Sequence, residues 1–419
     1  MTQNNESDFV INGGIQGPYE LWWPNESIKI LAEQVKPDRD DMLTAIITVI
    51  SLRPSNTGML WGPVKLNMQS TTGITSIIRS LDNVDSDTDW PFIIRKLCLS
   101  VVKEFQQGSP EVELTGKVDV LAQHKFLVEP IIQERNPTLI YGPGSTGKSW
   151  FGQLIAVLAG SGTSSAGLTV EPARVLYLDW ETDQAEIEGR ITMIRNGLGM
   201  EEDTPTNIFY KSMTSGLARE EEEIKKIILK RDITLLVLDS LGSACMGEPE
   251  SADVVLKMFG ALRRLGCTSL CIDHTNKEGT LFGSVYKYNQ SRMVFEAKNS
   301  QRSSQSHIFF GLFHRKANNG PLMKDMAWEM SFYPDSITIT PARVEDTELE
   351  EHQLVYIRML NALRRADKNM LTQDELADIC NTTRGTIDKE ASRKKELFSR
   401  PMKGYVGIAA REGDEWTIS

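Results

Sequence analysis

Eight residues, Gly142-Pro143-Gly144-Ser145-Thr146-Gly147-Lys148-Ser149, carry the spacing GxxxxGK[ST], the chemistry of a phosphate-binding loop. Its glycines let the backbone fold around an anion so that N–H groups converge on it, and the N-terminus of a following helix adds partial positive charge. In that pattern Lys148 reaches the β- and γ-phosphates of a nucleoside triphosphate and the Ser149 hydroxyl ligates Mg²⁺. The binding set runs from Gly142 to Trp150.

Four more polar residues close apolar runs. Asp239 follows Leu235-Leu236-Val237-Leu238, where a strand-end carboxylate holds Mg²⁺, usually through a water; the alternative is an Asp that caps the next loop. Asp179 and Glu181 close the run that begins at Arg174, and a carboxylate there can polarise a water in line with a γ-phosphate. Residues two apart on a strand share a face, so the two compete for that role. His274 closes the run Ser269 to Asp273, where it can hydrogen-bond a γ-phosphate or the attacking water, or be a packed structural residue.

Such residues need a scaffold that brings strand ends to one edge. From 126 to 345, strand-length apolar runs at Leu139, Val175, Leu235 and Ser269 alternate with helical segments beginning near Ser149, Ala218 and Ala252. That alternation predicts an α/β core with a parallel sheet and its ligands at the C-terminal strand edge. Two later strands are expected at Met293 to Ala297 and Ile308 to Phe313, and His314 to Gly320 reads as a basic turn. Lys277 to Ser284, with Gly279 and Gly283, reads as a mobile loop.

The flanks divide the chain into 1–125, 126–345 and 346–419. The first region is expected to be a small α+β or mainly helical domain of unknown role. Asn25 to Ser27 predicts the cap of a short helix through Ala32, Asp38 to Ser51 a second helix, Val64 to Met68 a strand, and Phe92 to Phe105 a strong helix closed by Gly108-Ser109-Pro110. Trp22, Trp23 and Trp90 read as core or interface aromatics, with base-stacking platforms as the alternative. In the last region, helices at Leu354 to Arg365, after Leu371, and at Arg384 to Glu390 precede a hairpin from Tyr405 to Ile408 and Glu415 to Ile418. This predicts a winged helix-turn-helix. Arg384, Thr386 and Lys389 would face a major groove with Arg393, Lys394 and Lys395 beside the backbone, although Asp388 and Glu390 dilute that face and such modules also dock proteins.

Composition narrows the class. The 419 residues are 40% hydrophobic and 25% charged, as in soluble globular proteins, with no membrane-length apolar run and no signal-peptide pattern at the start. A cytoplasmic, nucleoid-associated protein of a bacterium, archaeon or phage is expected, with no membrane partner. The five cysteines are scattered and lack zinc spacing. A net charge of −11 argues against a general polyanion coat, but leaves room for a locally basic groove.

The set GPGSTGKS, LYLDWETD, LLVLDSLGSA and IDHTNK with FGSVYKYNQSR resembles the RecA-like ATPases of the RepA type, plasmid and phage replicative helicases, over roughly half the chain. The resemblance implies ATP and Mg²⁺ as cofactors and a homo-oligomeric ring, commonly a hexamer, with ATP between neighbours. It implies single-stranded DNA passing through the core. The loop at 277–284 is a candidate DNA contact by its position alone, and the winged helix, an addition to that core, has duplex DNA as a possible ligand. It assigns Glu181 to general base. A basic residue from the next subunit would complete the site, with Arg315 and Lys316 as candidates and Arg292 as an alternative. A filament-forming recombinase or repair ATPase and a regulatory or loader ATPase are the other readings.

Overall fold

The computed structural model describes residues 10–12, 18–38, 40, 42–107, 113–114, 116, 125–248, 250–300, 306–366 and 368–409. The chain divides into two units, Met1–Val118 and Asp119–Ser419.

The first unit is a five-stranded antiparallel sheet in sequential order: β1 (Val10–Asn12), β2 (Tyr19–Trp23), β3 (Ile28–Pro37), β4 (Leu43–Ser51) and β5 (Gly58–Asn67). Helices α1 (Thr71–Asp82) and α2 (Trp90–Gln107) pack on it through Ile77, Leu81, Ile94 and Leu97. The helices expected at 27–32 and 38–51 are strands instead. In β3, Ile28, Ile30 and Ala32 are buried in alternation, and in β4 Ala45, Ile47 and Val49 are. The run Thr44 to Ile50, β-branched at every position but Ala45, favours a pleated surface, so a period of two prevailed over one of 3.6. Trp23 and Trp90 are core residues, whereas Trp22 is exposed. The expected helix stop at 108–110 lies outside the described residues.

The second unit is built on a nine-stranded sheet. Its strands enter the chain after the small β6 (Phe126–Glu129) and β7 (Ile132–Gln133): β8 (Pro137–Gly142), then, past the short β9 (Thr169–Val170), β10 (Val175–Asp179), β11 (Ile208–Ser212), β12 (Leu235–Asp239), β13 (Thr268–His274), β14 (Met293–Ser300), β15 (His307–Ala317), β16 (Met326–Phe332) and β17 (Ile337–Ala342). The order is β11-β10-β12-β13-β8-β14-β15-β16-β17. Strands from β11 to β14 run parallel; β14 to β17 are antiparallel. Helices α3 (Lys148–Ser161), α4 (Gln184–Gly197), α5 (Leu217–Arg231), α6 (Leu241–Cys245), α7 (Ala252–Leu265) and α8 (Tyr286–Gln290) connect the strands. Two apolar clusters lie on the two sheet faces, and alternate residues of one strand serve both: Tyr177 belongs to one, Leu176 and Leu178 to the other. This parallel-rich α/β sheet is consistent with a RecA-like P-loop core.

Two readings of this core need correction. Arg315 and Lys316 are not in a turn: β15 runs through Ala317, because Lys316 and Ala317 pair with Val294 and Met293, and Arg315 is the extra residue of a bulge in β15. Glu181 is not on a strand: β10 ends at Asp179, so the same-face argument linking the two carboxylates does not apply.

After two short helical turns, in which Val344 and Leu349 pack on Phe313 and Ala327, the chain forms α9 (Val355–Arg365), β18 (Met370–Thr372), α10 (Gln373–Ile379), α11 (Arg384–Arg393), β19 (Phe398–Ser399) and β20 (Tyr405–Ile408). Thr372 and Glu375 form the capping box that starts α10. The small sheet has the order β18-β20-β19, so β20 pairs with β18 and β19; the strand expected at 415–418 lies outside the described residues.

Candidate nucleotide site

The phosphate loop leaves β8 at the centre of the sheet and enters α3. At Gly142 a Cβ would sit 2.5 Å from the Ala297 carbonyl oxygen, and Gly147 adopts φ 103°, so neither position admits a side chain without strain. Thr146 folds its hydroxyl onto the Pro143 carbonyl. Lys148 is almost fully buried, its ammonium donating to the carbonyls of Gly142 at 2.9 Å and Pro143 at 2.6 Å. Burial pushes its pKa down to about 8, against the charges of Asp239, Glu181 and Asp273.

Strand register collects the remaining groups at this edge. Asp179 is opposite Asp239, and His274 is opposite Gly142. The Trp180 N–H donates to the Asp239 carbonyl at 2.9 Å, which sets the turn carrying Glu181 beside β12. There Oε1 of Glu181 lies 3.1 Å from Nε2 of His274. That contact, aided by Ser240 and Lys148 and opposed by partial burial, holds the Glu181 carboxyl down at about 2. The same contact raises the His274 pKa.

Asp239 and Asp179 do different things. Asp239 accepts from the Tyr177 hydroxyl at 2.7 Å through Oδ2, while its buried Oδ1 has no hydrogen-bond partner. Burial raises its pKa, and the hydrogen bond from Tyr177 and the nearby Ser149 hydroxyl oppose that rise. An orphaned carboxylate oxygen near the Ser149 hydroxyl fits a water in the shell of a magnesium ion. Among the described residues, no group of three or more His, Cys, Asp or Glu could hold a metal by itself, so such an ion would need phosphate oxygens as ligands. Asp179 is occupied: its carboxylate accepts from the N–H groups of Glu181 and Thr182, the Thr182 hydroxyl at 2.7 Å and the Tyr210 hydroxyl at 3.1 Å. It shapes the turn that presents Glu181.

Lys148, Ser149, Glu181, Asp239 and His274 therefore converge with the loop. Trp150 directs its ring into the protein, edge-on to Phe332 and under the Arg190 guanidinium. Arg315 and Lys316 lie two strands from β8 on β15: Lys316 is level with Leu139 through Val294, and Arg315 occupies the bulge beside it. Arg315 pairs with Glu296 at 2.9 Å; Lys316 donates to the carbonyls of Tyr288, Asn289 and Ser291, closing α8.

Sequence reasoning missed two groups. Tyr177 sits mid-strand, where a polar tip inside an apolar run already signals a buried partner. Lys287 and Asp273 form an ion pair of 2.7 Å with both side chains fully buried, and no local pattern marks it. The pair ties α8 to the strand end that carries His274. The loop between them folds back, with the Phe282 N–H donating to the His274 carbonyl at 3.0 Å.

No curated protein matches this chain. Among solved structures, a KaiC-like protein from the hyperthermophilic archaeon Pyrococcus horikoshii OT3 is similar over 55% of this chain and 100% of its own, at 15% identity and a TM-score of 0.39. Residues 110–280 match the family model described as an AAA domain, and with the loop geometry that match supports a P-loop ATPase.

Proposed function

We propose that the chain is a Mg²⁺-dependent ATPase that assembles into a ring, a hexamer by the family resemblance, and translocates on single-stranded DNA as a replicative-type helicase in the cytosol or nucleoid. The observation that carries this reading is the 3.1 Å contact between Glu181 and His274 beside the loop lysine. When bound, ATP and Mg²⁺ supply the scissile γ-phosphoryl group and neutralise its charge. Lys148 exchanges the Gly142 and Pro143 carbonyls for phosphate oxygens; Ser149 and Asp239 serve the metal. Glu181 is a weak base while His274 holds it, so drawing His274 toward the γ-phosphate raises its basicity as a substrate arrives. His274 is continuous with the loop at 277–284, the candidate DNA contact. Arg315, with Lys316 or Arg292 as substitute, would act on the neighbour's nucleotide after leaving its own partners.

The C-terminal elements follow the order helix, strand, helix, helix, strand, strand, which we read as a winged helix. On it Arg384 contacts Asp374 and Gln373, and Asp388 contacts Arg400. This internal pairing favours a protein-docking role for the module over duplex binding and keeps the loader reading as the second one. Hydrolysis with and without single-stranded DNA, strand displacement, and negative-stain imaging with ATP test the proposal. Stimulated hydrolysis, unwinding and closed rings are expected. Open filaments without unwinding support the recombinase reading, and unstimulated hydrolysis supports the loader.

A further inference from the structure

At the sheet edge away from the phosphate loop, a cavity of about 430 Å³ lies between the start of β8 and the ends of α7 and α8. Three arginines line it, Arg135, Arg263 and Arg292, with the amides of Asn136, Asn289 and Gln290, and no carboxylate does. Among the described residues none of the three guanidinium groups has an ion-pair or hydrogen-bond partner. Glu221 holds Arg264 through two bonds of 2.7 Å, and Glu296 holds Arg315 and Lys298, so neither carboxylate is paired with these arginines.

The backbone beneath the arginines is fixed. The Arg135 N–H donates to Thr268 Oγ1 and the Arg292 N–H to the Pro137 carbonyl, both at 2.9 Å. Stabilising helix C-termini accounts for at most one of the three. Arg263 lies in the last turn of α7, where a cation is worth about 0.3–1 kcal/mol. The end of α8, however, is already served by Lys316, whose pKa is lowered by burial and then by the charge of Arg292. Three arginines without a partner among the described residues line one concavity in a chain of net charge −11 and concentrate positive charge there.

We propose that this cavity is a second phosphate site, which takes the phosphoryl oxygens of a polyphosphate or nucleic-acid backbone. Two sources share that chemistry: a single strand bound by the protein, and the nucleotide in the loop of a second copy. Only the choice of source rests on the proposed function.

The full chain is tested with inorganic tripolyphosphate in a Lys148→Ala background, which disables the phosphate loop. Adding Arg135→Gln, Arg263→Gln and Arg292→Gln together should weaken binding at least tenfold, and Arg→Lys at the same positions should retain most of it. Equal binding with and without the arginines, or no binding in Lys148→Ala alone, overturns the site. With Lys148 intact, the triple Gln variant is titrated with a labelled oligothymidylate at several salt concentrations. If the strand is the source, the slope of log affinity against log salt falls by about 2, from three contacts of about 0.7 each. If a second copy's nucleotide is the source, turnover falls and mixing with Lys148→Ala subunits restores part of it. Unchanged strand affinity together with unchanged turnover overturns both assignments. Tripolyphosphate binding without any strand binding by the wild type would leave the site standing and count against the helicase reading.

Discussion

Nε2 of His274 and Oε1 of Glu181 are 3.1 Å apart, joining the end of β13 to the turn after β10 across β12. Glu181→Gln keeps that contact possible and removes the base. ATP binding should stay within a few-fold of wild type while turnover falls by about 10²–10⁴. Nucleotide titration and steady-state hydrolysis separate the two, and near-normal turnover would release Glu181 from its role.

The same pair predicts a pH response. Glu181 has a depressed pKa, so its contribution is present above an unfolded value of about 4.3 and lost as pH falls toward about 2. His274 has a raised pKa, so its contribution is present below about 6.5 and lost as pH rises through the folded value. The contact is strongest between those limits. In His274→Gln the Glu181 carboxyl should move up toward the ordinary glutamate range, as read by carboxyl-carbon NMR titration.

Lys148 loses its proton near pH 8 in the nucleotide-free protein, and phosphate oxygens would restore it. ATP affinity should therefore weaken above pH 8 by up to about tenfold per pH unit. Lys148→Met should bind weakly with no such slope. Calorimetry between pH 7 and 9.5 reads both.

The Asp273–Lys287 pair is fully buried, so removing one member strands the other. Lys287→Met alone should cost about 3–5 kcal/mol, and Asp273→Leu with Lys287→Met should recover most of it. Urea unfolding of the wild type, Lys287→Met, Asp273→Leu and the double variant measures the difference.

Arg315 must leave Glu296 to reach a neighbouring site. Arg315→Ala and Lys148→Ala subunits, each inactive alone, should regain part of the turnover when mixed. No recovery at any ratio assigns Arg315 to the Glu296 ion pair only.

Local spacing was enough for the phosphate loop and the core strands, since each rests on residues adjacent in the chain: glycines around an anion, and apolar runs closed by Asp239, Asp179 or His274. It misled where two periods compete, as at 38–51. It also misled where pairing extends an element, as β14 does for β15 through Lys316.

What the sequence by itself determined is that a nucleotide site exists and which strand-end carboxylates can serve it. Only the tertiary structure shows what each one touches: Asp179 spends its oxygens on Thr182, Tyr210 and the Glu181 N–H, whereas Glu181 lies against His274. The three arginines of the second cavity, at positions 135, 263 and 292, are brought together by the same means. Parallel strands connected through helices place residues more than a hundred positions apart on one sheet edge, and no local pattern encodes that neighbourhood.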